Sequence, residues 1–240
     1  MKQMNNIYQI SFLEHAFPVN CYLVKEENEL TLIDAALPYS AKKILKFASS
    51  IGKPITKILL THGHDDHVGA LDKLKDALPT VPVYISKRDS RLLAGDLSVD
   101  EHETNLPIRG GVPKKIKTKA DIFIEDGDQI GSLRAIAAPG HTPGQMAFLD
   151  TRDNSIIAGD AFQTRGGIAV SGQLKLSFPF PALATWDKQA ALTSARKIAE
   201  LKPTLLAVGH GRMLVEPFGL INKAIKDAET KMNSNQTRSV

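Results

Sequence analysis

The chain has 240 residues, 42% of them hydrophobic, which allows one or two domains and a sizeable buried core. Its net charge of +4, from 30 basic and 26 acidic residues, is too slight to argue for nucleic acid by itself. No apolar run approaches the roughly 20 residues of a membrane span. Met1-Lys2-Gln3-Met4-Asn5-Asn6 forms no apolar signal core, and Cys21 is the single cysteine, so no internal disulfide exists. A cytoplasmic protein is expected, without a membrane or nucleic-acid partner.

In chain order, Ile7 to Ile10, Asn20 to Val24 and Leu30 to Asp34 read as short strands. The turns between them, His15-Ala16-Phe17-Pro18-Val19 and Glu26-Glu27-Asn28-Glu29, make this opening an antiparallel meander. Tyr39 to Ile51 has helical spacing, with Ala41, Ile44, Leu45 and Ala48 on one side. Ile55 to Leu60 is a buried strand, and helical spacing resumes at Val68 with Ala70, Leu71, Leu74, Ala77 and Leu78. Val81 to Ile85 is a strand and Lys87 to Leu93 a short helix. From Ala94 to Lys119 the pattern fades into a long loop rich in glycine, proline and charge.

The second half repeats this mixture. Ile122 to Ile124, Leu133 to Ala137, Met146 to Leu149, Ser155 to Ala158 and Leu205 to Val208 read as strands. Thr185 to Leu201 and Pro217 to about Lys231 read as helices, and Met232 to Val240 as a polar tail. Hairpins mixed with strand–helix units call for two mixed sheets packed together with helices outside. One domain over residues 1–240 is expected.

The chemistry concentrates in Thr61-His62-Gly63-His64-Asp65-Asp66-His67-Val68-Gly69. So many imidazoles and carboxylates in one short run conflict unless a cation lies between them, and a divalent metal is the simplest. The run joins a strand to a helix, where α/β sheets commonly present their chemistry. His62 and His64, two apart at a strand end, can reach one metal. Asp66 and His67 at the helix start point elsewhere, which calls for a second. His141, Asp160 and His210 follow the same pattern: each is a ligand-type side chain at a strand end with glycine beside or near it.

The run His62-x-His64-x-Asp66-His67 resembles the signature of the metallo-β-lactamase superfamily, and the resemblance extends over nearly the whole chain. It implies an αββα sandwich with metals at one edge between the sheets. It implies His62, His64 and His141 at one metal, Asp66, His67 and His210 at the other, and Asp160 bridging them. It also implies that Asp34 supports the metal loop and that the turn with His15 and Phe17 overhangs the site. Zinc suits such a set, with iron or manganese as alternatives. Oxygen-reducing diiron members usually carry Glu at the second motif position, where this chain has His64. Two divalent ions would generate hydroxide near neutral pH, with Asp66 orienting it as the catalytic residue.

The implied activity is hydrolysis of a small ester, thioester or lactone, as in the glyoxalase II-like and acyl-homoserine-lactonase branches. The alternatives are a mono-iron oxygenase of the persulfide dioxygenase type and a phosphodiesterase or nuclease. Exported β-lactamases fit less well, because the chain opens without an export signal. Phe162, Phe178, Phe180 and Trp186 either wall the substrate pocket, with Phe162 and Phe178 as its candidates, or pack the core of the second half. Arg109, Lys114, Lys115, Lys117 and Lys119 are either a solvated loop or a grip for an anionic substrate. Cys21 is expected as a buried small hydrophobe and His102 as solvated surface. The sequence leaves the oligomeric state open.

Overall fold

The structure, a computed structural model, describes residues 2–236. Strands β1 (Lys2–Met4), β2 (Ile7–Phe12), β3 (Val19–Lys25) and β4 (Leu30–Ile33) form an antiparallel meander. Strands β5 (Ile55–Leu59), β6 (Val83–Ser86) and β7 (Ile122–Ile124) then add to β4 in parallel, which completes a seven-stranded sheet. Parallel pairing needs crossovers. Helices α1 (Ala41–Ile51), α2 (Asp65–Val68) and α3 (Leu71–Ala77) lie in two of them, and α4 (Lys87–Leu93) follows β6 directly.

The second sheet begins with β8 (Gln129–Ile130), β9 (Leu133–Ala137), β10 (Met146–Asp150) and β11 (Ser155–Ile157). A two-stranded ribbon of β12 (Phe162–Gln163) and β13 (Ala169–Val170) follows, then helices α5 (Phe180–Leu183) and α6 (Lys188–Glu200). Strands β14 (Leu205–Ala207) and β15 (Leu214–Val215) return to the second sheet, β14 parallel to β11, and α7 (Phe218–Gln236) closes the described chain.

Alternation along the strands builds the layers. On β3, Cys21 and Leu23 pack outward with Ala41, Ile44 and Leu71 of the helices, while Tyr22 and Val24 face the other sheet. On β10, Ala147 and Leu149 face Leu192, Ile198 and Ile221 of α6 and α7, while Met146 and Phe148 face inward. Ile33, Leu59, Ile157 and Leu205 fill the same central layer. Three apolar layers alternating with two sheets give the αββα sandwich. No helix among the described residues is long and apolar enough to cross a membrane.

Some boundaries differ from the sequence reading. The helix expected from Val68 begins at Asp65 and breaks after Val68 before α3 resumes. The expected tail is helical over 232–236, and Met232 packs against the second helical layer, because α7 carries its apolar face onward; residues 237–240 lie outside the described part. The two-residue strands are too short to carry a periodicity.

Candidate metal centre

Five chain segments end at one edge of the sandwich and bring their ligand-type side chains together. His62 follows β5, and His64 caps α2, which carries Asp66 and His67. His141 lies beyond β9, Asp160 in a 3-10 turn after β11, and His210 beyond β14. All five histidines and Asp160 are buried. Three sets have ligand atoms within 4.8 Å of one another: His62, His64, His141; His62, His67, Asp160; and Asp66, His67, His210.

Hydrogen bonds behind the rings fix which nitrogen faces inward. His64 Nε2–H donates to the Arg109 carbonyl at 2.8 Å. His67 Nδ1–H donates to Asp34 Oδ2 at 2.7 Å, and His210 Nδ1–H to the Pro18 carbonyl at 2.7 Å. Thr61 Oγ1 donates to Asp34 Oδ2, so it accepts from His62 Nδ1–H at 3.0 Å. A relay holds His141: Thr185 Oγ1 donates to the Pro181 carbonyl, Ser171 Oγ donates to Thr185, and His141 Nδ1–H donates to Ser171 at 3.0 Å. Every ring therefore turns a lone pair inward. His64 Nδ1 and His141 Nε2 face each other at 3.0 Å. His62 Nε2, His67 Nε2 and Asp160 Oδ1 are buried without a hydrogen-bond partner. Converging buried acceptors of this kind are costly without a cation among them, so the residues present fit bound metal.

Charge points the same way. Burial, reinforced by neighbouring rings, holds His62 well below the ordinary histidine value. Burial likewise lowers His64, and takes His141 to about 3. Burial would lower His67 and His210 too, but the carboxylates around them together outweigh it and raise both: Asp160, Asp34 and Asp66 at His67, Asp160 and Asp66 at His210. Burial would raise Asp160, yet the His210, His67 and His141 rings hold it well below the carboxylate range. Asp160 Oδ2 lies 3.1 Å from His210 Nε2 and 3.3 Å from His141 Nε2, and its Oδ1 lies 3.4 Å from His67 Nε2. One carboxylate thus faces both halves of the cluster.

Asp34 sits behind the cluster, where the sequence reading places a supporting acid. It accepts from Thr61 N–H, Thr61 Oγ1 and His67 Nδ1. Its backbone φ of 62° is left-handed, a costly conformation for a non-glycine residue that the surrounding contacts must enforce.

Asp89 is the residue that sequence reasoning misses. Buried on α4, it accepts from Gly63 N–H, Thr142 Oγ1 and Gly144 N–H at 2.9, 2.7 and 2.7 Å. It therefore ties the His62–His64 loop to the His141 loop. Its only sequence signal is an acid in the first turn of a short helix. All three partners on its carboxylate are donors, two on Oδ2 and one on Oδ1, so Asp89→Asn turns an amide N–H₂ against at least one of them. The expected loss is about 10- to 100-fold in activity or metal affinity, read from kcat/KM and metal titration. An unchanged kcat/KM would remove Asp89 from this role.

The centre opens into a cavity of about 390 Å³. Beside the ligand-type side chains, Phe17, Phe180, Pro181, Leu183 and Ala184 line it together with Asp65, Gly110 and Gly111. His15, Phe162 and Phe178 do not line it. His15 is exposed, and its carbonyl accepts from Arg165. Phe162 is buried in the second helical layer, because β12 turns it toward that layer. Phe178 packs behind the wall, 5.2 Å from Phe17 and 5.4 Å from His210 between ring centroids. Cys21 is buried and His102 exposed.

The long loop also reaches the site, through its backbone. Besides Arg109, the Gly111 carbonyl accepts from Asp65 N–H at 2.7 Å. Gly110 has φ 95°, and a Cβ there would collide with the His64 ring, so only glycine fits. At Gly209 a Cβ would collide with Asp160 and His67. These glycines serve close approach of backbone to ligands.

The sequence model of the metallo-beta-lactamase superfamily matches residues 16–210, spanning every member of the cluster. The chain belongs to the metallo-β-lactamase superfamily. A Bacillus subtilis member of similar sequence, the uncharacterized protein YobT, is 55% identical over 95% of this chain and 97% of its own. YflN of Bacillus subtilis, described as a "probable metallo-hydrolase", is 31% identical over 80% of each chain. Among solved structures, TTHA1623 in a di-iron-bound form aligns with a TM-score of 0.65 at 26% identity, covering 88% of this chain and 96% of that one. In this superfamily setting the His/Asp cluster is one capable of binding metals.

Proposed function

We propose that the chain is a zinc-dependent hydrolase of a small ester, thioester or lactone. The observation that carries this reading is the set of inward lone pairs on five buried histidines, gathered around Asp160 at the floor of an open cavity. Likeness to YflN supports hydrolysis, and the di-iron form of TTHA1623 supports a two-metal centre. When bound, such a metal pair supplies hydroxide at neutral pH and a Lewis acid for the carbonyl oxygen.

The chain's own residues do the rest. His62, His64 and His141 would hold one ion, Asp66, His67 and His210 the other, and Asp160 both. Asp66 faces the cavity with its side chain 24% exposed, and its Oδ2 lies 3.4 Å from His210 Nε2. Its other carboxylate oxygen orients the attacking oxygen by accepting its proton. The new C–O bond forms as the bond to the leaving oxygen or sulfur breaks, and the proton passes to that leaving atom. The Asp34, Asp89 and Ser171–Thr185 networks hold the rings still while charge develops.

The test is a panel of a small ester, thioester and lactone, assayed with zinc-loaded full-length protein. Hydrolysis of at least one class, abolished by a chelator and restored by zinc, is expected. Inactivity toward all three, with thiol-dependent oxygen uptake by an iron-loaded sample, would replace this reading with an oxygenase.

A further inference from the structure

The cavity combines a polar floor, acidic groups and exposed apolar side chains, with no lysine or arginine among the described residues of its lining. Around its polar floor the fixed charges on the wall are carboxylates, Asp65 and Asp66. The same cavity is lined by the apolar Phe17, Phe180 and Leu183. Phe17 and Phe180 meet edge-on at 5.0 Å between centroids, and Phe178 braces both from behind. Phe180 is 50% exposed and Leu183 60% exposed. Large apolar side chains held open at the mouth of a polar centre mark a surface awaiting an apolar ligand.

The basic residues stay out of the cavity lining, although the Lys114 charge reaches Asp65. Arg109 lends His64 its carbonyl, and its side chain does not line the cavity. Lys117 and Lys119 line a different depression with Phe123, and Lys114 another. Arg165 and Arg212 line a cleft on the far side of the His210 loop. Among the described residues, no lysine or arginine lines the wall where a carboxylate on the substrate would rest. Seated on that wall, away from the metal floor, such a group would leave water for phenyl and leucyl surface without a basic partner in the lining.

We infer that the substrate is uncharged away from its scissile bond and carries an apolar group that seats on the Phe17–Phe180–Leu183 wall. This rests on the hydrolase reading of the same centre. It separates this chain from enzymes whose substrates carry carboxylates, such as glutathione thioesters and β-lactams. Because each buried methylene adds about fourfold in affinity, kcat/KM should climb with acyl length until the wall is covered.

The experiment uses zinc-loaded full-length protein and phenyl esters of acetate, butyrate and hexanoate, with the phenyl monoester of adipate as the anionic match to hexanoate. The expected kcat/KM rises by about fourfold per methylene along the neutral series. It falls by about 100-fold or more from hexanoate to adipate, the loss of a charge left unpaired on burial. Leu183→Arg, a change at an exposed position, should shrink that gap by up to about fivefold. Adipate hydrolysed as fast as hexanoate, with no dependence on acyl length, would overturn the inference and leave the hydrolase reading standing. Hydrolysis of none of these esters, nor of a thioester or lactone, by protein that retains its zinc would overturn the hydrolase reading itself. The chain-length series alone decides the matter if Leu183→Arg does not fold.

Discussion

Asp160→Ala is expected to lower kcat/KM by about 1,000-fold or more, which is about 4 kcal/mol of transition-state stabilisation, and to release bound metal. Asp160 is buried and addresses both halves of the cluster: Oδ2 toward His210 and His141, Oδ1 toward His67. No other carboxylate of the set does this, since Asp66 groups with His67 and His210 only. Alanine also strips His67 and His210 of a negative charge that raises them, and leaves five imidazoles crowded with less compensation. The loss should therefore exceed the roughly 10- to 100-fold typical of residues that only support ligands. Elemental analysis and steady-state kinetics on the purified variant check it. A variant that keeps its full metal content and works within tenfold of the parent would remove Asp160 from the centre.

Asp66→Asn separates catalysis from structure. The side chain is partly exposed to the cavity and lies apart from the buried layers, so the fold should tolerate the change. Asparagine keeps the shape and loses the negative charge that accepts the proton of the attacking oxygen. The expected fall in kcat is about 1,000-fold, within the range for general acid–base groups, with circular dichroism unchanged. Metal content measured on the same sample divides the effect between binding and chemistry. Unchanged turnover with metal retained would reject Asp66 as the catalytic residue.

The sandwich was legible because its strands are short, apolar and alternating, and because chemistry-bearing residues stand beside glycines at strand ends. His62 to His67 can be read as a metal loop from spacing alone, since few other uses exist for such crowding. His141, Asp160 and His210 required the family resemblance to be assigned to ions. The aromatic side of the pocket was not legible. Phe162, Phe178 and Phe180 lie within 19 residues of one another in the sequence, and no periodicity tells which faces the cavity. The answer depends on β12 turning Phe162 into the helical layer, and on α5 lifting Phe180 out of it. Asp89 was hidden for a related reason. Its work is to receive three donors from two distant loops, and partners so far apart in the chain leave no trace near residue 89. The long loop is similar: its side chains read as a basic surface, while its contribution to the site is the Arg109 and Gly111 carbonyls.

The most direct test of the account is the metal content of full-length protein purified without added metal, set beside its hydrolysis of the ester, thioester and lactone panel. A dinuclear zinc hydrolase should hold about two equivalents of zinc per chain, with hydrolysis that disappears when the zinc is chelated and returns when it is restored. About one equivalent of iron per chain, with no hydrolysis and thiol-dependent oxygen uptake, would contradict this reading.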